Sequence, residues 1–426
     1  MGETVRKTRS VCPKCLKNIP ARLVREGEKT YMEKTCREHG DFRTVIWRGM
    51  TDFDEWRASA RELLPGEGES CPGSCGICPE HGQGSCCVLL EVTRRCSLRC
   101  RFCFAGADEP EPAMAELKHA VNVIFENGRP LIQLSGGEPT MRDDLPELIR
   151  YIKSCGGRYV QLNSNGLRLA GDEKYVRELA DAGLSFVFMQ FDGVTDGVYE
   201  QLRGRALLDE KLRAIEMCAK YRIGVTLVPT VVRGVNDGQI GDIIRFAVKR
   251  SPAVRGVHFQ PVSYFGRYPH SPENDERYTL DELVSAIVEQ TDISEKNLAP
   301  SRCDHPACGL HASFVVDCDG TLYPTTQRKA APCESSTAEQ NRDYIGRRWT
   351  RAPEESECCC GSGSLEDMDF FLSRARSYCF TVTAMAFQDA WNLDIERLRR
   401  CSLHVYDGGA LKPFCARYLT AEENAT

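Results

Sequence analysis

The chain has 426 residues, 42% of them hydrophobic, with 55 Lys and Arg against 61 Asp and Glu, a formal net charge of −6. This is an ordinary globular balance, and its acidity argues against a protein held to nucleic acid by phosphate contacts. No apolar run approaches the roughly 20 residues of a transmembrane segment, and the opening MGETVRKTRSVCPKC lacks the apolar core of a secretory signal, so a cytoplasmic location is expected.

In a reducing compartment, 23 cysteines clustered at short spacings read as metal ligands rather than disulfides. Residues 1–60 contain Cys12 and Cys15 in CPKC, a strand-like stretch, then Cys36 and His39 in TCREHGDF. Such a unit is too short to fold on apolar burial alone. Its spacing is that of a zinc ribbon or a rubredoxin, open to a mononuclear Zn or Fe and to a structural or an electron-transfer role. A helix is expected over 51–65. Residues 61–87 form a loop rich in Gly, Pro and Cys, in which Cys71, Cys75 and Cys78 of CPGSCGIC stand at C-x3-C-x2-C. They suit an auxiliary cubane, with His81 or Cys87 as a fourth ligand, or a zinc-stabilised loop. One of Cys86 and Cys87 can be a buried thiol.

Across 88–290, short β-rich runs begin at VLLEVT (88–93) and continue through LIQLSG, YVQLNSNG, SFVFMQFDG, GVTLVPTVV and GVHFQPV (256–262). Amphipathic stretches at 143–155, 173–183, 207–221 and 237–250 lie between them. Strand–helix alternation predicts parallel pairing with right-handed crossovers: an α/β fold, a partial (β/α)6 TIM-type barrel with its site at the C-terminal strand ends.

Directly after the first of these strands, EVTRRCSLRCRFCFA presents Cys96, Cys100 and Cys103 on one loop. Three thiolates leave one iron of a cubane open, whereas a closed zinc site wants a fourth ligand. Arg94, Arg95, Arg99 and Arg101 can offset an anionic cluster or be solvated. In LSGGEP, Gly136 and Gly137 permit close backbone approach ahead of Glu138. Asn163 and Asn165 in LNSNG, and Gln190 and Asp192 in MQFDG, end the next two strands, although Asn-Gly and Asp-Gly are also common turn formers. Asn236 and Asp237 read as helix-start residues.

After residue 291 the alternation stops and a C-terminal cysteine-rich auxiliary-cluster region, 291–426, begins. Cys303, Cys308, Cys401 and Cys415 form its four-ligand set, with Cys318 and Cys358, Cys359 and Cys360 as alternatives. Cys155, Cys218 and Cys379 read as core thiols. The polar tract 334–362 is expected to lack regular structure.

The cysteine triplet together with GGEP resembles the radical S-adenosylmethionine (SAM) superfamily. That resemblance implies a catalytic 4Fe–4S cluster on Cys96, Cys100 and Cys103. It also implies SAM held by Gly136, Gly137, Glu138, Asn163, Asn165, Gln190 and Asp192, and cleavage of SAM to a 5′-deoxyadenosyl radical that attacks an unactivated C–H bond. Further stretches, among them CPKC, TCREHG, CGICPEH, LVPTVVRGVNDGQIGDIIRFA and DAWNLDIERLRRCSLHVYDGGALKPFCARYL, are similar to the archaeal-type radical SAM methylase family, which includes pterin dimethyltransferases and tetraether-lipid synthases. The implied reaction is C–C bond formation, by methylation or alkyl coupling, on a pterin or lipid. One or two auxiliary 4Fe–4S clusters and a donor such as ferredoxin or flavodoxin are implied with it. CGLHASFVVDCDGTLYP at 308–324 instead resembles the auxiliary-cluster domains of peptide-modifying maturases, an alternative with a peptide substrate.

Overall fold

A computed structural model describes residues 2–58, 71–73, 76–78, 80–105, 110–301, 303–326, 337–352, 365 and 368–424. Cys75 and Cys358–Cys360 lie outside the described residues.

The N-terminal unit is a four-stranded antiparallel sheet: β1 (Glu3–Val11), β2 (Asn18–Glu26), β3 (Lys29–Cys36) and β4 (Gly40–Trp47), in that order. Alternation along β2 and β3 puts Ala21, Leu23 and Met32 on one face, where with Trp47 they join the main hydrophobic core. The sheet is therefore packed onto the rest of the molecule. Thr8 Oγ1 donates to Asp394 at 2.7 Å, Arg6 pairs with Asp394 and Glu396, and Trp56 Nε1 donates to the Pro306 carbonyl at 3.1 Å. The helix expected over 51–65 runs from Phe53 to Arg57, and residues 59–65 are outside the described set.

The second sheet holds β5 (Cys87–Thr93), β6 (Leu131–Gly136), β7 (Val160–Ser164), β8 (Phe186–Gln190), β9 (Gly224–Val228), β10 (Thr230–Val231), β11 (Val254–Pro261), β12 (Ala299–Pro300), β13 (Gly309–Val316), β14 (Leu322–Pro324), β15 (Cys379–Met385), β16 (Leu403–Asp407) and β17 (Ala410–Pro413). Its order is β12–β13–β15–β11–β9–β8–β7–β6–β5–β16–β17, with β10 on β11 and β14 on β13. The six strands β5, β6, β7, β8, β9 and β11 are parallel neighbours in chain order, as the alternation predicts, and form a partial barrel. Two later strands extend the parallel run, β16 beside β5 and β15 beside β11.

Strand residues alternate sharply in character. Ile132, Leu134, Leu162, Val187, Met189, Leu227, Val257 and Phe259 are fully buried in the main core, together with helix residues such as Val121, Ile149, Val176 and Ile244. Their neighbours in sequence, Gln133, Ser135, Asn163, Gln190, His258 and Gln260, face a cavity instead. A mostly apolar lumen carrying a few convergent polar groups is a binding chamber rather than a packed barrel core.

One sequence expectation is corrected. Within the polar tract 334–362, residues Ala338–Trp349 form a helix, started by a Thr337/Gln340 capping box in which each side chain accepts from the other's backbone N–H. Mean polarity hid it, because only Ala338, Gly346 and Trp349 on this helix are buried. The rest of that tract lies outside the described residues, apart from 350–352. Among the described residues no helix is long and apolar enough to cross a membrane.

Candidate active site and metal centres

At one end of the N-terminal sheet, the β1–β2 and β3–β4 turns bring Cys12, Cys15, Cys36 and His39 together, with all four ligand atoms within 4.8 Å of one another. His39 Nδ1 stands 3.5 Å from Cys12 Sγ and 3.4 Å from Cys36 Sγ. The Glu38 backbone amide, and then His39, draw the Cys36 thiol down to about 6, so a thiolate is available near neutral pH. Burial pushes Cys12 the other way. Three sulfurs and one imidazole at this spacing fit a single tetrahedral ion.

The main cavity, about 320 Å³, runs through the partial barrel. Cys96, Cys100 and Cys103 line its mouth beyond the C-terminal end of β5. The cysteine loop is anchored on both sides: Arg101 N donates to Leu202 O at 3.1 Å, and Cys103 and Arg267 exchange backbone hydrogen bonds of 3.0 and 2.9 Å. Burial pushes the Cys96 thiol up to about 11 and raises Cys103 as well. Thiols become stable thiolates once a metal withdraws the proton, and three of them on one loop, Cys96 exposed and Cys100 and Cys103 half-buried, fit an iron cluster.

The two glycines act on this loop. Gly137 N donates to Thr93 O and Glu138 N to Arg95 O, both at 2.8 Å. A Cβ at Gly136, where φ is +115°, would meet Thr93 O at 2.2 Å, and one at Gly137 would meet Arg95 O at 2.3 Å. Only glycine lets β6 press against the root of the cysteine loop. Glu138 is buried and saturated: Oε1 accepts from Thr140 N, Thr140 Oγ1 and Ser164 Oγ, and Oε2 from Asn165 N at 2.6 Å. It ties the end of β6 to the end of β7.

Asn163 lines the cavity and accepts from Gln161 Nε2 at 2.6 Å. Asn165 also lines it, while its Oδ1 accepts from Leu167 N at 3.0 Å at the start of the next helix. Gln190 sits 4.0 Å from Cys100 Sγ, and its amide oxygen accepts from Arg203 Nε and Nη1 at 3.1 and 3.2 Å. Asp192 is fully buried one layer behind the wall, where both oxygens accept from Arg203 at 2.7 Å. Its contact is thus with Arg203, which itself lines the cavity beside Cys100. Arg203, at the end of the helix Asp196–Arg203, had no motif to mark it. Burial works against its charge, but Asp192 and Cys100 overcome this and raise its pKa. Burial pulls the neighbouring Lys211 down to about 8. Arg94 and Arg95, by contrast, pair with Glu91 and Glu111.

Deeper in the lumen the wall is aromatic. The Phe188 and Trp349 rings are 4.6 Å apart, and the Phe188 and His258 rings 5.4 Å apart. The helix 338–349 supplies Asn341, Ile345 and Trp349 to this end, and the start of β16 supplies Ser402 and Leu403. None of these stood out in the sequence, since their position depends on chain segments folding back across the barrel.

The remaining cysteines fall into two groups. Cys308 and Cys415, both buried, and the half-buried Cys401 lie near enough to influence one another electrostatically, and burial pushes Cys415 up to about 12. Arg397 Nε donates to Cys308 Sγ at 3.4 Å. Cys71 is packed in the same apolar cluster as Cys415, and the chain after Cys78 lies along this region through Gly82 N to Arg399 O, 2.8 Å. Cys303 is hydrogen-bonded to Cys86, which lies 3.6 Å from Cys87, and to Ser402, the neighbour of Cys401. His81 Nε2 contacts the Cys401 carbonyl at 2.7 Å and His404 Nε2 at 3.2 Å. Cys218 is a buried core thiol, Cys155 and Cys379 are half-buried, and Cys318 is exposed.

A partial parallel barrel with a three-cysteine loop at its mouth is the architecture of one enzyme class. The Radical SAM superfamily model matches residues 90–247, and the HMPTM N-terminal zinc ribbon domain model matches residues 4–48. The chain belongs to the radical SAM superfamily, in its archaeal-type methylase family, and is a radical SAM enzyme. It is 33% identical to the 7,8-dihydro-6-hydroxymethylpterin dimethyltransferase of Methanocaldococcus jannaschii, over 96% of this chain and 92% of that protein. A probable GTP 3′,8-cyclase of Thermococcus kodakarensis is 34% identical over 41% of this chain and 56% of its own length. Among solved structures, Streptococcus suis SuiB aligns with a TM-score of 0.41 at 16% identity, over 49% of this chain and 46% of that one. Membership implies a 4Fe–4S cluster and SAM.

Proposed function

We propose that this enzyme methylates a pterin at unactivated carbon. The observation that carries the reading is the lumen: a flat ring system can lie against the wall that Phe188, His258 and Trp349 form together, while Gln133, Asn163 and Gln260 offer hydrogen bonds to a heterocycle's edge. The kinship to a pterin dimethyltransferase supports it. An alkyl chain would leave those amides unpaired, so the same wall disfavours lipid coupling.

In this reading Cys96, Cys100 and Cys103 hold the catalytic cluster, and Gly136, Gly137, Glu138, Asn163, Asn165 and Gln190 form the SAM side of the mouth. When bound, cluster and SAM would supply a one-electron reductive cleavage that ends in hydrogen abstraction from the pterin carbon, and a second SAM would give the methyl group, its methyl–sulfur bond breaking to leave S-adenosylhomocysteine as a second electron from the reductant is taken up. The chain's own residues orient and shield. Gly136 and Gly137 hold the cysteine loop against β6, Arg203 is clamped by Asp192 beside Cys100, and the aromatic wall excludes water from the reacting carbon. Cys308, Cys401 and Cys415, with the loop carrying Cys71, Cys75 and Cys78, serve auxiliary clusters, and the Cys12 site takes Zn or Fe. A reduced ferredoxin or flavodoxin in the cytoplasm supplies electrons.

The test is anaerobic turnover of the reconstituted enzyme with SAM, reductant and 7,8-dihydro-6-hydroxymethylpterin. Mass spectrometry should find pterin carrying one or two added methyl groups, and the triple variant of Cys96, Cys100 and Cys103 to Ala should make neither that product nor deoxyadenosine. Active SAM cleavage with an unmodified pterin would overturn the substrate assignment. Deoxyadenosine from the triple variant would overturn the cluster assignment.

A further inference from the structure

Two carboxylates stand on the cavity wall among the described residues, Glu138 and Asp304. Glu138 is saturated by donors from β7 and its own turn. Asp304 is not. Its Oδ1 accepts from Ser402 N at 2.7 Å and Ser402 Oγ at 2.8 Å, while Oδ2 has no protein donor and no cation pairs with the group among the described residues. Asp304 is half-buried, so Oδ2 is left to water or to a ligand in the cavity, and a ligand's N–H donors can take the place of that water.

Its position along the barrel is informative. Ser402 is pinned to the start of β5, because Cys86 N donates to Ser402 O at 2.9 Å, and Leu403 pairs with Cys87. Asp304 therefore sits at the floor, while Cys96 and its partners stand beyond Thr93 at the other end of the same strand, about 20 Å away at 3.3 Å per residue. Between floor and mouth lie the aromatic faces of Phe188, His258 and Trp349.

We infer that Asp304 is a specificity-determining residue that accepts, through Oδ2, the paired N–H donors of a 2-amino-4-oxo-pyrimidine edge. Those two donors, the exocyclic amine and the adjacent ring N–H, lie side by side, and with both lone pairs of Oδ1 taken by Ser402 they fall to the two lone pairs of Oδ2. Ser402 fixes the carboxylate's rotation. With the pyrimidine edge on the floor, the opposite, pyrazine side of the ring faces the mouth, where hydrogen abstraction takes place. This rests on the pterin reading above and adds to it the residue that selects the ring and sets its orientation.

Binding to the reconstituted holoenzyme can be followed by fluorescence with 6-hydroxymethylpterin and with 6-hydroxymethyllumazine, whose 2-oxo group replaces the 2-amine. The wild-type enzyme should prefer the pterin by about tenfold or more. Asp304→Asn should weaken the pterin by about 10- to 100-fold and change the lumazine little, so that the ratio collapses. Asp304→Glu, which keeps the acceptor, should recover part of the preference, as should Ser402→Ala, which leaves the Ser402 backbone donor in place. An unchanged ratio in Asp304→Asn, with the pterin still bound, overturns the assignment alone. Iron loss in that variant with an unchanged ratio does the same and gives Asp304 to the neighbouring cysteines. Failure of the wild-type enzyme to bind either compound overturns the pterin reading and this assignment with it.

Discussion

At the scale of single residues, the site is a set of buried polar groups whose partners determine what each can do. Glu138 accepts four hydrogen bonds from two strands' ends, two of them from backbone amides. In Glu138→Gln an amide N–H must face one of those donors. We expect a loss of about 2–3 kcal/mol in urea unfolding, with weakened SAM binding. Full SAM affinity in a destabilised variant would restrict Glu138 to a structural tie. His258 gives a pH signature. Burial against Phe188 and Trp349, with Nδ1 at 2.8 Å from Thr383 Oγ1, holds its pKa down to about 4, against about 6.5 in the unfolded chain. Between those values the unfolded state binds the proton more readily, so stability is full above pH 6.5 and falls as the pH drops toward 4. The slope contributed is about 1.4 kcal/mol per pH unit. Unfolding of His258→Asn measured between pH 7 and pH 5 should show a shallower acid loss than wild type. Identical slopes would mean that the imidazole titrates in the folded protein as it does in the unfolded chain.

Among the elements, the helix 338–349 does most to complete the chamber. Its Trp349 is 5% exposed, packs on Phe186, Phe188 and His258, and donates from Nε1 to Thr381 Oγ1 at 3.0 Å. Removing that ring in Trp349→Ala should cost about 3–5 kcal/mol of stability. Because the same ring faces the lumen, pterin affinity should fall while the Cys12 metal site, on a different sheet, keeps its ion. Metal analysis together with calorimetry reads both, and loss of the ion with the ring would show that the two sheets unfold as one unit.

For the whole molecule, the cysteine groups predict an iron inventory. Three cubanes would bring about twelve irons, plus one if the Cys12 site takes iron rather than zinc. The structure sharpens this. Changing Cys308, Cys401 and Cys415 to Ala should lower the count by about four, whereas Cys303→Ala, at a thiol bonded to Cys86 rather than to that set, should leave it unchanged. Iron and sulfide assays on the two variants decide it, and an equal loss in both would return Cys303 to the ligand set.

Much of this was local enough to be read in the chain. Strand–helix alternation specifies six parallel neighbours because side-chain period and crossover handedness act over about 30 residues. The loop holding Cys96, Cys100 and Cys103, the two glycines beside it, and the turns bearing Cys12, Cys15, Cys36 and His39 are likewise short-range patterns. Asp192 and Arg203 mark where that legibility ends: an Asp-Gly at a strand end looks like a ligand, and only packing puts it behind the wall, holding an arginine 11 residues away. Asp304, Trp349 and Ser402 reach the lumen through β15, β16 and a helix that fold back from the last third of the chain onto both edges of the barrel. No periodicity records such contacts, because they depend on which surfaces remain unburied after the barrel has formed, and tertiary structure alone decided them.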